Sequence, residues 1–232
     1  MDDIVAVVPA RGGSKRLVGK NIKNLAGKPL IFHTIDALIG HDRISKIVFS
    51  SDEEAYIDLV KRKYKHRVDC VARPKAFATD TTKVFDEMLR LAKQGTLDKD
   101  WFLLCLPTSP FRDFQTIKSV IARWEKDGNS MFGATHYTFP IQFAFEIDGN
   151  GDWVPKLGLA SPMLTGNTRS QDLSKTYRPN GAFYLQRVEA LFDQNTFYVN
   201  SKPWLMNETE SLDIDNEIDF LMVEQLWKAR NA

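Results

Sequence analysis

The chain has 232 residues, of which 43% are hydrophobic and 26% are charged, and its formal net charge is +1. These values fit one large globular domain, residues 1–232, and exclude a nucleic-acid-binding surface that depends on bulk positive charge. No apolar run reaches the roughly 18 to 20 residues of a membrane span, and the cationic start of a secretory signal is missing, so we expect a cytoplasmic protein without a membrane partner.

Strand-like and helix-like segments alternate along the first half of the chain. The strand-like runs are IVAVV, ISKIVFS, RVDCVA and WFLLCL. The helical segments are LIFHTIDALIG, EEAYIDLVKRK, TTKVFDEMLRLAKQG and DFQTIKSVIARWEK. In the last of these, the apolar residues Ile117, Val120, Ile121 and Trp124 follow the helical period. Strands that are apolar on both faces and alternate with helices predict a three-layer α/β fold with a mostly parallel sheet.

The alternation stops near residue 135. Aromatic residues, glycine and proline dominate from about 138 to 164, where two short β runs, FAFEI and WVPKL, flank the turn-prone DGNGD. This pattern predicts a β-hairpin excursion over residues 135–177. A strand, AFYLQ, and an amphipathic helix from about 217 to 230 close the chain. The apolar face expected for that helix consists of Ile218, Leu221, Met222 and Leu226.

The two cysteines, Cys70 and Cys105, each lie among apolar residues, in VDCVA and LLCLP. We expect two reduced thiols in the core, with a disulfide or a metal-binding pair as the alternative.

Four predicted strands are followed directly by polar segments: PARGGSKRLVGKN, SSDEE, ARPKAFATDTT and PTSPFR. Ligands of open α/β sheets bind beyond the carboxyl ends of the strands, so these segments are site candidates. The first contains Gly12 and Gly13, whose missing Cβ atoms let backbone N–H groups approach an anion. Its cations are Arg11, Lys15, Arg16 and Lys20, with Lys23 just beyond it. This segment predicts a triphosphate site, although it matches neither the P-loop nor the dinucleotide-binding pattern. A solvated basic turn is the alternative.

Two carboxylates near the end of the chain, Asp213 and Asp215, are separated by one residue. In an extended segment they share one face, an arrangement that can present both to Mg²⁺. The alternative is that Asp215 or Asn216 only caps the last helix.

A polar loop before the last predicted strand contains Arg169, Gln171, Asp172 and Arg178. Forked guanidinium groups suit the binding of a carboxylate. Arginines that are merely salt-bridged within the loop are the alternative.

Five ordered motifs together resemble one family, the CMP-sialic acid synthetases or acylneuraminate cytidylyltransferases. The motifs are ARGGSKR with KN from Arg11, RP with ATDTT from Arg73, PTSPFR from Pro107, RSQD with YRPNGAFY from Arg169, and DIDNEID from Asp213. The resemblance implies a Rossmann-like nucleotide-binding half of the nucleotide-diphospho-sugar transferase type. It also implies a reaction in which CTP and a nine-carbon 2-keto sugar acid, a nonulosonic acid, give the CMP-sugar and pyrophosphate.

The resemblance also implies roles for individual residues. The nucleotide would contact Arg11, Gly12, Gly13, Ser14, Lys15, Lys20, Asn21, Arg73, Ala78, Asp80 and Thr81. The sugar acid would contact Thr108, Ser109, Gln142, Arg169, Gln171, Arg178 and Asn180. Catalysis would rest on Lys20, Arg11 and Asp213. Asp213 and Asp215 would bind Mg²⁺, or Mn²⁺ in its place. Either Asp213 or a metal-bound hydroxide would deprotonate the sugar hydroxyl. The excursion would form a homodimer and reach over the partner's sugar site.

The motifs leave the sugar and some competing functions open. Leu106 stands where many sialic acid enzymes of this family have glutamine, FPIQFAF with NTRSQDL resembles the pseudaminic acid branch, and RPNGAFY resembles the sialic and legionaminic acid branches. A metal-dependent glycosyltransferase, a non-catalytic CTP sensor and an enzyme for an eight-carbon sugar acid are the alternatives. The order of the motifs disfavours the first, since its Asp-x-Asp pair should lie mid-chain.

Overall fold

A computed structural model describes residues 3–166 and 169–230 of the chain. The strands are β1 (Ile4–Pro9), β2 (Asn24–Leu25), β3 (Lys28–Pro29), β4 (Ile44–Ser51), β5 (Asp69–Ala72), β6 (Trp101–Cys105), β7 (Ser130–His136), β8 (Phe145–Ile147), β9 (Trp153–Pro155), β10 (Tyr177–Arg187) and β11 (Ser201–Leu205). The α-helices are α1 (Leu30–Leu38), α2 (Glu54–Tyr64), α3 (Val84–Lys93), α4 (Phe114–Asp127), α5 (Pro162–Thr165), α6 (Ala190–Asp193) and α7 (Glu217–Arg230). No helix in these ranges is long and apolar enough to span a membrane.

A seven-stranded sheet in the order β11-β7-β10-β6-β1-β4-β5 forms the centre of the molecule. Only β10 runs antiparallel to its neighbours, β6 and β7, and the other pairings are parallel. The predicted mostly parallel α/β fold is therefore confirmed. Its core has two layers because alternate residues of each buried strand point to opposite faces. In β1, for example, Ile4, Ala6 and Val8 pack on one side and Val5 and Val7 on the other.

The strand order changes direction beside β1. The chain proceeds from β1 outward through β4 to β5, then returns to place β6 on the other side of β1. The segments that follow β1, β4, β5 and β6 therefore meet at one edge of the sheet. A change of direction of this kind opens a crevice at the carboxyl ends of the strands, where open α/β sheets bind ligands.

Two strands of the sheet were not predicted, β7 and β11, and β10 is longer than the predicted AFYLQ run. The exposed edge strand β11 contains Lys202 and Pro203. Because lysine and proline are typical of sheet edges and loops, the sequence of this segment does not predict a strand. In β7, Gly133 takes the place of a larger strand residue because the side chain of Asn180 occupies the space a Cβ would need. These pairings are set by tertiary contacts that local patterns do not encode.

Helix α7 forms where predicted, but the apolar face proposed for it is wrong. Ile218, Leu221, Met222 and Leu226 have exposed fractions between 37% and 69%, and the buried residues are Phe220 and Val223. The helix has apolar residues on two faces, so periodicity alone could not select between them. Aromatic packing determines which face of α7 is buried. Trp227 stacks on Phe111 with ring centroids 5.3 Å apart, and its ring centroid lies 4.5 Å from that of His33 in an edge-to-face contact.

The excursion contains the expected hairpin. Strands β8 and β9 pair antiparallel, with Phe145 opposite Pro155, and the Asp148 carboxylate accepts hydrogen bonds from the backbone N–H groups of Asn150 and Asp152 in the turn. Many of its large apolar side chains are exposed, including Phe139 (65%). Elsewhere in the described ranges, Cys70 and Cys105 are free thiols, as expected, but only Cys105 is buried in the core and Cys70 is half-buried at its margin.

Candidate active site

A cavity of about 300 Å³ lies at the carboxyl ends of β1 and β6. The loop after β1, the segment after β5, the loop after β6 and the stretch before α7 form its walls. Five cationic side chains line it, against two carboxylates: Arg11, Lys15, Arg16, Lys20 and Arg73, with Asp80 and Asp215. This excess of positive charge is local, since the whole chain carries a formal charge of only +1. A concave site of this charge attracts a polyanion.

Asp80 joins the segment after β5 to the first loop. Its carboxylate accepts from Nη1 of Arg11 at 3.1 Å and pairs with Nζ of Lys15 at 2.6 Å, while Nη1 of Arg11 also donates to the carbonyl of Thr79 at 2.9 Å. The hydrogen bond from Lys15, with the charges of Lys15 and Arg11, lowers the pKa of Asp80. These pairs are exposed to solvent, so a polyanion can compete for both cations at little cost.

Lys20 connects the first loop to the end of the chain. Its Nζ donates to the carbonyl of Ile214 at 2.7 Å and lies 3.5 Å from Oδ1 of Asp215, which also pairs with Nη2 of Arg16 at 3.1 Å. The Lys20 side chain is only 13% exposed. Asn21, nearly buried, fixes the loop from within by donating from Nδ2 to the carbonyl of Arg11 at 2.9 Å.

The two glycines of the first loop differ in their surroundings. The backbone N–H of Gly12 donates to Oδ1 of Asp52 at 3.0 Å, so in this structure it is directed at the segment after β4 rather than at the cavity. A Cβ at Gly12 would collide with the side chain of Glu53, whereas a Cβ at Gly13 would meet nothing within 4 Å. Next to them, Ser14 lines the cavity. Asp52 and Glu53 belong to the SSDEE segment at the end of β4, whose sequence predicts a site location but no role for either side chain.

Asp213 and Asp215 lie close enough to influence each other. Although Asp213 keeps contact with solvent, the protein packed around its carboxyl raises its pKa, and the charges of Asp215 and Asp219 add to this effect. The Thr108 side chain and the Lys20 ammonium oppose it. Helix capping does not occupy Asp215, because Oδ1 of Asn216 accepts from the N–H groups of Ile218 and Asp219 at 2.8 and 3.1 Å.

This pair of carboxylates fits a magnesium ion. Two negatively charged oxygen donors that repel each other favour a cation between them, and Mg²⁺ is commonly bound by one or two carboxylates together with substrate phosphates. Within residues 3–166 and 169–230, no group of three or more His, Cys, Asp or Glu side chains could form an all-protein metal site. Of the two aspartates, Asp215 lines the cavity, whereas Asp213 is exposed and lies outside the lining; Asp80, the other carboxylate of the lining, is paired with Arg11 and Lys15.

The remaining nucleotide candidates follow β5. Arg73 lines the cavity, whereas Ala78 and Thr81 lie outside its lining. Thr81 instead shares a hydroxyl hydrogen bond with Thr79 at 3.2 Å. Thr82 and Val84, which sequence analysis did not select, line the cavity in their place. Thr82 belongs to the same ATDTT segment and Val84 is the first residue of α3, so the motif predicted the region of the site but not all of its side chains.

The sugar candidates do not come together in one chain. Thr108 lines the main cavity and its carbonyl accepts from the N–H of Ile214 at 2.9 Å. Ser109 and Asn180 are buried away from the cavity. Nδ2 of Asn180 donates to the hydroxyl of Ser211 at 2.9 Å, and its Oδ1 accepts from the N–H of Ala182 at 3.1 Å. Asn180 lies where the pairing of β10 with β7 is irregular, between Pro179 and Tyr184, and these hydrogen bonds stabilise that segment.

The other sugar candidates lie at the base of the excursion. Gln171 lines a second cavity, of about 340 Å³, and Nε2 of Gln142 donates to the carbonyl of Ser174 at 2.9 Å beside it. Arg169 pairs with Asp172 at 3.4 Å, and Arg178 is exposed on β10 rather than in the loop. Neither Arg169 nor Arg178 lines the main cavity at the carboxyl ends of β1 and β6. The nucleotide candidates and this second group are thus separate in a single subunit.

Comparison with known proteins decides what kind of site this is. A family model described as cytidylyltransferase matches residues 5–209. The chain belongs to the cytidylyltransferase family. It is therefore a nucleotidyltransferase, and the resemblance drawn from the five motifs is confirmed. Membership of this family does not support the two alternative functions, a glycosyltransferase and a non-catalytic sensor.

Named relatives extend the similarity over the whole chain. The CMP-N,N'-diacetyllegionaminic acid synthase of Legionella pneumophila is 35% identical over 97% of this chain and 96% of the relative. The N-acylneuraminate cytidylyltransferase of Escherichia coli is 28% identical over 98% of this chain, which spans 53% of that protein's length. Among solved structures, CMP:2-keto-3-deoxy-manno-octonic acid synthetase in complex with CTP has a TM-score of 0.72 and covers 98% of this chain and 99% of its own. Because the two sequences are only 14% identical, this similarity shows the fold alone.

The different surroundings of the two glycines predict different effects of the same substitution. Gly12→Ala should weaken CTP binding about tenfold, because displacing Glu53 shifts the loop at a cost of roughly 1 to 2 kcal/mol. Gly13→Ala is the matched control and should leave the dissociation constant within about twofold. Calorimetric titration of both variants with CTP measures the difference. Equal losses for the two would contradict this account of the loop.

Proposed function

We propose that the enzyme activates a nine-carbon 2-keto sugar acid with CTP, giving the CMP-sugar and pyrophosphate. The observation that supports this most directly is the cavity lined by five cations at the carboxyl ends of β1 and β6, which suits a nucleoside triphosphate. The named relatives act on sugar acids of this class, and the similarity to the legionaminic acid synthase covers 97% of this chain.

In the proposed reaction a hydroxyl oxygen of the sugar acid attacks the α-phosphorus of CTP. The new oxygen–phosphorus bond forms as the bond to the β-phosphate bridging oxygen breaks, and pyrophosphate leaves with the electron pair. Negative charge grows on the leaving oxygens, so cations placed beside them stabilise the transition state more than the ground state. Lys20, Arg11 and Lys15 are the side chains we assign to this task, since all three are cations of the loop after β1 and line the cavity.

The proton of the attacking hydroxyl needs an acceptor. We assign this role to Asp213, a carboxylate in the stretch before α7 that interacts with Lys20 and Asp215. Asp213 and Asp215 would also hold Mg²⁺, which when bound would offset charge on the phosphates. Positioning and electrostatic stabilisation therefore account for most of the protein's contribution in this scheme.

The substrate assignment is tested by pyrophosphate release with CTP and Mg²⁺ across a panel of sugar acids. N-acetylneuraminic, legionaminic and pseudaminic acids and an eight-carbon acid cover the candidates. We expect release with a nine-carbon acid and a product of CMP-sugar mass. Activity confined to the eight-carbon acid would overturn the substrate class while leaving the family intact.

Lys20 supplies the most specific mechanistic test. Lys20→Ala should lower kcat by about two orders of magnitude, because it removes a nearly buried cation that stabilises charge in the transition state. Lys118→Ala, on the exposed side of α4, is the matched control and should keep the wild-type rate. Near-wild-type turnover of Lys20→Ala in the same pyrophosphate assay would remove Lys20 from the catalytic set.

We further propose that the excursion pairs two subunits, so that Gln171 and Arg178 of one reach the sugar acid bound by the other. Exposed apolar residues support this: Tyr137, Phe139, Phe145, Trp153, Val154 and Leu159. The separation of the two groups of sugar candidates within one chain also favours it. Sedimentation velocity should give a dimer mass across a hundredfold dilution. A monomer mass at micromolar concentration would contradict the proposal.

A cytoplasmic location is part of the same proposal, because CTP is the cosubstrate. Two free cysteines, one fully buried, are consistent with a reducing compartment. Fractionation of cells that express the chain would test the location, and recovery outside the cytoplasm would count against it.

A further inference from the structure

A fully buried arginine, Arg112, lies at the end of the loop that follows β6. Its exposed fraction is 0%, and it is among the largest side chains of the core. Within residues 3–166 and 169–230 no carboxylate pairs with it, and the titratable group that acts on it is the neighbouring Cys105 thiol. Burial of a charge is costly unless hydrogen bonds offset it, so the acceptors that Arg112 contacts are essential to its place in the core.

Three separate elements contribute the acceptors of Arg112. Its Nη1 donates to the carbonyl of Leu106 at 3.1 Å and to the carbonyl of Ala182 in β10 at 2.5 Å. Its Nη2 donates to the hydroxyl of Thr34 in α1 at 2.7 Å. A guanidinium is planar and rigid, so its two terminal nitrogens fix the positions of these groups relative to one another. Arg112 therefore connects the loop after β6 to a strand and a helix of the core.

The loop that Arg112 holds forms one wall of the main cavity. Leu106, Pro107 and Thr108 all line this cavity. The carbonyl of Leu106 also accepts from the backbone N–H of Ser109 at 3.5 Å, which closes the turn of the loop. A displacement of the Leu106 carbonyl would therefore move the turn that contains Thr108.

Thr108 connects this wall to the lysine assigned to catalysis. Its carbonyl accepts from the backbone N–H of Ile214 at 2.9 Å, and the carbonyl of Ile214 accepts from Nζ of Lys20 at 2.7 Å. One short turn and two hydrogen bonds thus lead from the acceptor of a buried guanidinium to the ammonium group of Lys20. The position of that ammonium group depends on where the loop after β6 is held.

We propose that Arg112 is a positioning residue, which holds the loop after β6 so that Ile214 presents its carbonyl to Lys20. The bond to Ile214, at 2.7 Å, is shorter than the 3.5 Å pairing of Lys20 with Asp215, so it is the firmer anchor of the ammonium group. Misplacement of a reacting group by about 1 Å can cost roughly two orders of magnitude in rate. This inference rests on the proposed role of Lys20 and extends it to a residue that does not line the cavity.

The test is the steady-state kinetics of Arg112→Met, whose side chain is long and unbranched but has no hydrogen-bond donor. We expect kcat to fall about tenfold, because Lys20 loses its fixed position. The KM for CTP should change by less than about threefold, because Arg11 and Lys15 of the first loop keep their places. An unchanged kcat, or a larger rise in KM at constant kcat, would overturn the proposal.

Gln186→Met is the matched control for loss of stability alone. Gln186 is 2% exposed and, like Arg112, links separate segments, since its Nε2 donates to the carbonyl of Phe197 at 3.0 Å and to the hydroxyl of Ser201 at 2.9 Å. It lies opposite Phe102, near the end of β6 that is away from the cavity. This variant should have a lower Tm but keep kcat within about twofold. An equal fall of kcat in both variants would show that Arg112 acts through stability alone and would overturn the proposal.

A double-mutant cycle shows whether Arg112 acts through Lys20. In a Lys20→Ala background, Arg112→Met should lower kcat by less than about threefold, because the side chain that it positions is gone. Any larger loss in that background would show that Arg112 acts independently of Lys20 and would overturn the proposal.

Two further measurements keep the outcomes distinct. If Arg112→Met does not fold, Thr34→Val removes one acceptor of the guanidinium and should lower kcat by a smaller factor, and an unchanged kcat would overturn the proposal. Absence of pyrophosphate release by the wild type with every sugar acid of the panel would reject the proposed function itself. Wild-type turnover that survives in Arg112→Met would reject only the role of Arg112.

Discussion

The contact of Lys20 with the stretch before α7 is the interaction on which the site depends. Its ammonium group bonds the carbonyl of Ile214 and pairs with Asp215, so residues almost 200 positions apart close one wall of the cavity. This link places the cations of the first loop opposite the two carboxylates suited to a metal. A nucleotidyltransferase needs cationic side chains and metal-binding carboxylates around one phosphate group, and here the carboxyl ends of the strands bring the two kinds of residue together.

The charges of the cavity are paired with one another in the structure. Asp80 holds Arg11 and Lys15, and Asp215 holds Arg16 and Lys20. A triphosphate that takes over the cations would free Asp215 for a metal ion, which links the binding of the two ligands. By contrast, Thr108 is the one sugar-acid candidate that lines this cavity within the described residues of one subunit.

Much of the nucleotide half could be predicted from the sequence, because helical periodicity, apolar strands and clustered cations are local signals. The helix face containing Ile117 and Trp124 is buried as predicted. The face of α7 could not be predicted, since apolar residues occupy two sides and only the ring of Trp227 against Phe111 selects one. The hydrogen bond from the backbone N–H of Gly12 to the Asp52 carboxylate could not be predicted either, because it joins two loops that only the strand order brings together.

The central claim is that the cations of the first loop bind the phosphates of the nucleotide. Calorimetric titration with CTP and with CMP, at low and at moderate salt, tests it most directly. The account predicts that CTP binds at least about ten times more tightly than CMP and that salt reduces the difference. Equal affinity for CTP and CMP at both salt concentrations would contradict it, because the five cations would then contribute nothing to recognition of the triphosphate.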